Sequence, residues 1–423
     1  MDLLKEIKLA RRELFGVVKP TPLIENLNLS RQFGATILLK REDQQVVHSF
    51  KIRGVYNKIN SLTTAEKEVG IVCASDGNHA QAVAYCCELL KIKGKIYMPK
   101  NTPKQKLEQV QQLGKNYIRV INAGNSFEEA NAIAVGDASI HRKSFIHPFD
   151  DLKIIAGQGT VGLEVLEECT KNIDYVFVPL EGGGLAAGLS IIFKHLSPNT
   201  KIIGVTTQDN PSLEILNESA NTCNNVDSVV HNGAIKKVSN LNSEICQKNL
   251  NAVVKIQEGK VCSTMLQLFT SEDINIEPAG VLSIAALDYY ADEIKDKNVV
   301  CIISGGLKNI EKEAEIRERS LLFEGLVHYL IIEFPQRTGV LKVFINEVLG
   351  PDDEVTYFQY LKNNNSIIES VLVRLELKNR NNILAIKANM LRKKIEYQNL
   401  DDSNDLFRSN ISLINNAFAK ELV

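Results

Sequence analysis

From about Thr36 to Gly306 the chain alternates short apolar runs with segments of helical period. ATILL precedes FKIRGVYNKINSL, GIVCAS precedes HAQAVAYCCELL, and KIYM precedes PKQKLEQVQQL. YIRVI leads into a segment beginning SFEEANAIA, and YVFVPL, KIIGV and NVVCIIS repeat the strand pattern later. Alternation of this kind predicts parallel sheets with covering helices. Several of these strands end in Ser- or Gly-rich loops, ASDGNH, EGGG and SGG. Ligands of open α/β sheets gather at the carboxyl ends of strands, so the three loops are expected to converge.

After Gly306 the texture changes. Glu311 to Ser320 is densely charged and reads as a solvated helix or connector. HYLIIEF is a strand candidate ended by PQRTG, and VLKVFINEVLG puts Val340, Leu341, Phe344 and Val348 on one helical face. EVTYFQYL and ESVLVRLEL follow as strands. In the second, Val371, Val373, Leu375 and Leu377 alternate with polar or outward positions. A helix from roughly Ile383 to Lys394 completes a β-α-β-β-α order of ferredoxin-like type. A small separate domain is therefore expected at about 323–423, in keeping with a chain of 423 residues, long for one core.

Composition narrows the function classes. The chain is 44% hydrophobic and 24% charged, as ordinary soluble proteins are. Its 49 basic residues face 51 acidic ones, a balance that gives no general attraction to nucleic acid or acidic membrane. Of eight cysteines, Cys73, Cys86, Cys87, Cys262 and Cys301 lie in apolar runs, and no CxxC pair offers metal-ligand spacing. Reduced, buried thiols in a cytoplasmic protein are expected, with no metal site. The opening MDLLKEIKLARRELF lacks the apolar centre of a signal peptide, and no run approaches the ~18 apolar residues that span a bilayer.

Each chemical signal is modest alone. Lys51 stands in HSFKIRG at a helix start, a position that on composition reads as surface. EGGGLAAG after YVFVPL could bring backbone N–H groups and a helix N-terminus to a phosphate. ASDGNHAQ offers small polar groups and donors suited to a carboxylate, and SGG at Ser304 closes a third strand. Their order and spacing are specific together. With TPLIENLNLS, LLKRED, YMPKNTPKQK, HPFDDLKIIAGQGTVGLE and EPAGVLSIAAL, they make the chain resemble the fold-type-II pyridoxal-phosphate enzymes. Within these it resembles the biosynthetic threonine dehydratases, and FPQRTGVLKVF and LGPDDEVTYFQY look like the single ACT-like domain of the short forms.

The resemblance implies two open, twisted parallel α/β subdomains over 1–320, the smaller inserted at about 50–155, and a ferredoxin-like ACT-like domain over 323–423. It implies pyridoxal 5'-phosphate as cofactor, carried by Lys51, which would also take the Cα proton of the substrate. Phe50, Asn78, Gly182, Gly183, Gly184, Leu185 and Ser304 would contact the cofactor: Asn78 its phenolic oxygen, Ser304 its pyridine nitrogen, and 182–185 its phosphate. Ser75, Gly77, Asn78 and His79 would receive the substrate carboxylate. L-Threonine would yield 2-oxobutanoate and ammonia at the first step of isoleucine synthesis. L-Serine is the alternative substrate, isoleucine or valine the implied effector, and a homotetramer the implied assembly. His147 and Glu277 are left outside the site.

Several positions depart from the family pattern. Asp76 places a carboxylate in the loop usually written SAGNH, and Glu181 replaces the first of four glycines in the phosphate loop. A carboxylate ~5 Å from one phosphate charge would cost on the order of 3 kcal/mol at an effective dielectric near 20, unless it points away. Leu307 replaces the asparagine of SGGN, Asn232 a usual aspartate, and Val46 and His48 the usual proline and arginine. Thr338 replaces a usual proline and Arg374 a usual glycine, so that an arginine would fill or re-charge an effector cleft. Two other readings follow. One is a serine dehydratase or serine racemase-like enzyme, against which the C-terminal domain speaks. The other is a catalytically impaired homologue that binds an amino acid or pairs with active subunits, against which Lys51, Asn78 and Ser304 speak.

Overall fold

A computed structural model of the chain describes residues 2–208, 240–306, 313–335, 339–361 and 368–400. Asn232, Leu307 and Thr338 lie outside these residues. The chain divides into two units, Met1–Ile310 and Glu311–Val423.

The first unit opens with β1 (Leu23–Glu25) and β2 (Thr36–Arg41). It then builds a separate sheet from β3 (Ile71–Ala74), β4 (Gly94–Met98), β5 (Ile118–Asn122) and β6 (Ser144–Phe145). It returns to the first sheet with β7 (Tyr175–Pro179), β8 (Lys201–Thr207), β9 (Ala252–Ile256) and β10 (Asn298–Ile303). The large sheet runs β1-β2-β10-β7-β8-β9, parallel except for the edge pair β1–β2. The small sheet runs β5-β4-β3-β6 and is wholly parallel. β3 and β7 are buried at every position, which is why IVCA and YVFVP read as continuous apolar runs rather than alternating ones. Each sheet has its own core, Val55, Ile59, Val83 and Ile96 in the small one and Val176, Val178, Leu189 and Phe193 in the large one. Seven cysteines among the described residues carry free thiols, and burial pushes those of Cys73 and Cys86 well above the usual range. No helix among the described residues is long and apolar enough to cross a membrane.

The helix Lys51–Asn60 is bound to the large sheet by a buried ionic cluster. Arg53 is 1% exposed and grips Glu42, just beyond β2, through two bonds of 2.7 and 2.8 Å. Nη1 and the shared Nη2 donate to Glu164 on the helix Leu152–Glu168 at 2.7 and 2.8 Å. Lys40 of β2, fully buried, also meets Glu164 at 3.0 Å. Each charge is therefore paired where water cannot serve it. Gly54 and Gly157 let the two helices touch, since a Cβ on Gly157 would lie 2.4 Å from the Arg53 carbonyl.

In the second unit β11 (Val327–Pro335), β12 (Glu354–Leu361), β13 (Ile368–Glu376) and β14 (Glu396–Asn399) form an antiparallel sheet ordered β12-β13-β11-β14. With the helices Val340–Glu347 and Asn382–Arg392 this is a ferredoxin-like βαββαβ unit, one strand longer than the sequence pattern implied. Phe344, Ile386 and Met390 pack one sheet face against Leu330, Ile332, Val371, Val373 and Leu375. Two expectations need correction. Leu341 is 38% exposed, because it precedes Phe344 by three residues yet falls at the rim of the buried stripe. The charged stretch after Glu311 is helical, as one of its two readings had it, but its inner face is not solvated. It forms the helix Glu313–Phe323, whose Leu321 and Leu322 pack on the second sheet face beside Tyr329 and Leu372. β13 is thus covered on both faces, and Leu372 and Arg374 are buried as well as their neighbours. Arg374 spends its charge there, donating to both oxygens of Glu318 at 3.0 and 2.7 Å and to Glu376 at 2.9 Å.

Removing the Arg53 guanidinium strands Glu42 and Glu164 without compensation. Arg53→Ala is expected to lose about 3–5 kcal/mol of stability, read as an earlier denaturation midpoint. Lys104→Ala, at an exposed pair with Glu108, should leave the midpoint in place.

Candidate active site

The three loops converge at the carboxyl ends of β3, β7 and β10, around the first turn of the helix Lys51–Asn60. The backbone from His48 to Phe50 lies along the end of β10. Gly306 donates its N–H to the His48 carbonyl at 3.0 Å, Ser49 pairs with Gly305, and Phe50 donates to the Ser304 carbonyl at 3.1 Å. These bonds set Lys51 beside Ser304, although 253 residues separate them in sequence.

The Lys51 amine is half-buried, 3.0 Å from the Pro148 carbonyl and 5.1 Å from the centroid of the Phe50 ring. Desolvation draws its pKa below the usual lysine value, and the Glu181 and Glu277 carboxylates oppose that shift. Lys51 is therefore not the surface residue that its local composition suggests. Glu181, in turn, acts electrically on both Lys51 and Glu277, so its charge is felt within the site.

Of the helices that begin here without a side-chain cap, two follow the glycine-bearing loops. One, Gly184–Leu196, follows the Glu181–Gly183 loop. Gly183 takes φ of +84°, and a Cβ on Gly182 would lie 2.4 Å from the Phe149 ring. The buried Asn242 holds this loop, donating Nδ2 to the Gly182 carbonyl at 2.7 Å and the Phe149 carbonyl at 3.1 Å. Carbonyls are thereby turned toward Asn242, and the first N–H groups of the helix have no intrahelical acceptor. The other helix, Asn78–Leu90, follows Gly77, whose N–H donates to Ser75 Oγ at 3.2 Å. Both helix ends therefore offer donors and positive dipole ends to anions.

Other groups divide between the site and its walls. Ser304 is buried at the end of β10. Asn78 donates Nδ2 to both oxygens of Glu277, at 2.8 and 2.9 Å. Burial pushes the Glu277 carboxyl up to about 7; Asn78 opposes the rise and Glu181 adds to it. The ring of His79 turns inward, with Nε2 3.0 Å from the Ile146 carbonyl, and desolvation lowers its pKa to about 3. His79 is thus a neutral anchor of the loop, and what it presents to the site is its backbone. Asp76 approaches Lys106 at 3.9 Å, so the carboxylate that looked misplaced in the carboxylate-binding loop has a cationic neighbour. His147 accepts from the Asp150 and Phe149 N–H groups through Nδ1, at 2.7 and 3.3 Å, and shapes the turn that carries Phe149.

The donor set fits pyridoxal phosphate. A lysine held toward its neutral form suits an aldehyde, and an uncapped helix N-terminus behind a glycine bend suits a phosphate. A buried hydroxyl and an asparagine amide suit the ring's polar atoms. Among the described residues no cluster has the make-up of a metal site. Glu277, Lys106, Phe149 and Asn242 were not among the predicted site residues. EPAG, YMPKNTPKQK and HPFDD marked the first three as parts of the resemblance, whereas no local signal marked Asn242.

Comparison with known proteins gives the same picture over nearly the whole length. The profile of the family described as pyridoxal-phosphate dependent enzyme matches residues 14–305, and that of the C-terminal regulatory domain of threonine dehydratase matches 318–409. The L-threonine dehydratase biosynthetic IlvA of Halalkalibacterium halodurans is 45% identical over 96% of this chain and 98% of its own. That of Bacillus subtilis is 42% identical over 95% and 96%. Among solved structures, the processed form of threonine deaminase isoform 2 from Solanum lycopersicum superposes with a TM-score of 0.70 at 32% identity, covering 76% of this chain and 88% of its own.

Proposed function

The chain belongs to the biosynthetic L-threonine dehydratase family of pyridoxal-phosphate enzymes, and from that premise we propose how its own residues carry the reaction. The activity is the dehydration and deamination of L-threonine to 2-oxobutanoate and ammonia, the first step of isoleucine biosynthesis. The observation that carries the assignment of residues is the half-buried Lys51 amine, set between Ser304, the Glu181–Gly184 loop and the Pro148 carbonyl.

When bound, the cofactor supplies an electron sink for the pair of electrons left when the Cα proton departs. Lys51 would hold the cofactor through Nζ, and its free amine would take the Cα proton of the substrate. Its lowered pKa keeps a larger share of the amine unprotonated at neutral pH than an exposed lysine would have. The N–H groups of Gly182, Gly183, Gly184 and Leu185 would hold the phosphate, with Asn242 fixing the loop behind them. Phe50 would flank the ring, and Asn78 would donate to its phenolic oxygen. Ser304 would face the pyridine nitrogen as a neutral partner, which would leave that nitrogen largely unprotonated and favour elimination over transamination. Ser75, Gly77, Asn78 and His79 receive the substrate carboxylate, His79 through its backbone. The enzyme works in the cytoplasm as a homotetramer, and isoleucine bound to the second unit lowers its affinity for threonine, valine being the other candidate effector.

Lys51→Ala should abolish 2-oxobutanoate release from threonine and from serine. It should also erase the visible absorbance band of lysine-bound cofactor. Substantial turnover by that variant would remove Lys51 from its role.

Glu181→Gly takes a carboxylate from the entrance of the phosphate loop and should tighten cofactor binding. An unchanged or weaker dissociation constant would mean that the Glu181 charge does not reach the phosphate.

Isoleucine should raise the threonine concentration needed for half-saturation. A coupling of ~1–3 kcal/mol corresponds to a shift of about 5- to 150-fold. Superimposable threonine titrations with and without isoleucine would exclude this control.

A further inference from the structure

Glu277 is a partly buried acid that no step above employs. It nevertheless bonds to Asn78, assigned to the phenolic oxygen of the cofactor, and through its backbone to Gly305, next to the Ser304 assigned to the pyridine nitrogen. Resting on the assignment of Asn78 to the phenolic oxygen, we propose that Glu277 is a positioning residue: it fixes which way the Asn78 amide faces and so aims the second N–H of that amide at the cofactor.

An asparagine amide is nearly symmetric in shape, and a half-turn exchanges its oxygen with its nitrogen. Only the nitrogen donates, and an ionised carboxylate only accepts. With Glu277 Oε1 and Oε2 at 2.8 and 2.9 Å from Asn78 Nδ2, the ionised acid admits one of the two orientations and penalises the other by facing oxygen with oxygen. One N–H is then used on the carboxylate and the second remains for the ring oxygen.

The carboxylate is itself held. Ile276 pairs with Gly306, Glu277 donates its N–H to the Gly305 carbonyl at 3.3 Å, and Pro278 begins the next helix directly after it. A Cβ on Gly305 would lie 2.1 Å from Oε1. The first glycine after Ser304 is therefore the space in which Glu277 sits, and the strand end that offers the serine also seats the acid.

The groups that act on Glu277 are Asn78 and the charges of Glu181, Lys51 and Lys106. Burial and Glu181 raise its pKa to about 7, while Asn78, Lys51 and Lys106 oppose the rise. As pH falls through that region the acid gains a proton and becomes a donor as well, and the orientation of Asn78 is no longer dictated. The native state holds this proton more tightly than the unfolded chain. The associated stability is therefore fully present below the ordinary carboxyl value and is lost as pH rises through about 7.

The test compares holoenzymes of the natural sequence, Glu277→Ala, Glu277→Gln and Asn78→Ala, recording the visible spectrum of bound cofactor across neutral pH and the cofactor dissociation constant. Glu277→Ala should weaken cofactor binding about 10-fold, as loss of a charge-assisted hydrogen bond does, and alter the spectrum in the sense that Asn78→Ala does. Glu277→Gln, whose amide both donates and accepts and so does not dictate the Asn78 orientation, should bind cofactor more weakly than the natural sequence and show no spectral step with pH. An altered Asn78→Ala beside an unaltered Glu277→Ala would overturn the inference and leave the Asn78 assignment standing. Unaltered spectra in both, with the band still lost in Lys51→Ala, would overturn the assignment and the inference together. A Glu277→Ala protein that is merely less heat-stable, with natural affinity and spectrum, would show a structural role and sink the proposal.

Discussion

Arg53 is the constraint on which the catalytic unit depends. Its planar guanidinium meets Glu42 and Glu164 with two bonds each, a match that a lysine could not make. Two residues along a helix amount to about 200° of rotation, so Arg53 points into the body of the unit while Lys51 points into the site. The position of the reactive amine is in this way referred to β2 and to the helix Leu152–Glu168 rather than to a surface loop. Desolvating four charges is expensive, and the cluster is tolerable because Lys40 balances the second carboxylate.

The site itself is a problem in charge placement. Lys51 must be near enough to apolar walls to lose protons easily, while anions must be received at two helix ends. Glu181 and Glu277 both pull the amine back toward its charged form, and desolvation outweighs them. Asp76, by contrast, has Lys106 as its neighbour. The two carboxylates that depart from the family pattern therefore act differently. Only Glu181 is felt by Lys51, because it sits directly before the phosphate loop.

The second unit shows how a covered face changes the meaning of a residue. In a two-layer ferredoxin-like fold, Arg374 would lie on an open sheet face. Here the helix Glu313–Phe323 lies across that face and supplies Glu318, whose Oε1 also accepts from the Tyr329 hydroxyl at 2.6 Å. The arginine is then a tie between helix and sheet, on the side opposite the helices that carry Phe344 and Met390. Glu311–Val423 accordingly includes the helix that the charge pattern alone would have assigned to solvent.

Local order was legible along the chain because it depends on near neighbours. The apolar runs of β3, β7 and β10, the periodic helices between them and the glycine bend at 182–184 follow from propensities and spacing, and the motif order pointed to Lys51, Asn78 and Ser304. Partnerships between distant segments were not legible. Asn242 carries no motif, yet it holds a loop some sixty positions earlier; Glu277 lay outside the expected site, and only the fold closes Asn78 and Gly305 on it. The inward turn of His79 toward Ile146 and the covering of Arg374 likewise needed segments that only folding brings together. Which residues could do the chemistry is written along the chain, since it lies in side-chain type and local geometry. Tertiary structure decided which of them are desolvated, paired and aimed, because burial and charge pairing are properties of contacts between segments far apart along the chain.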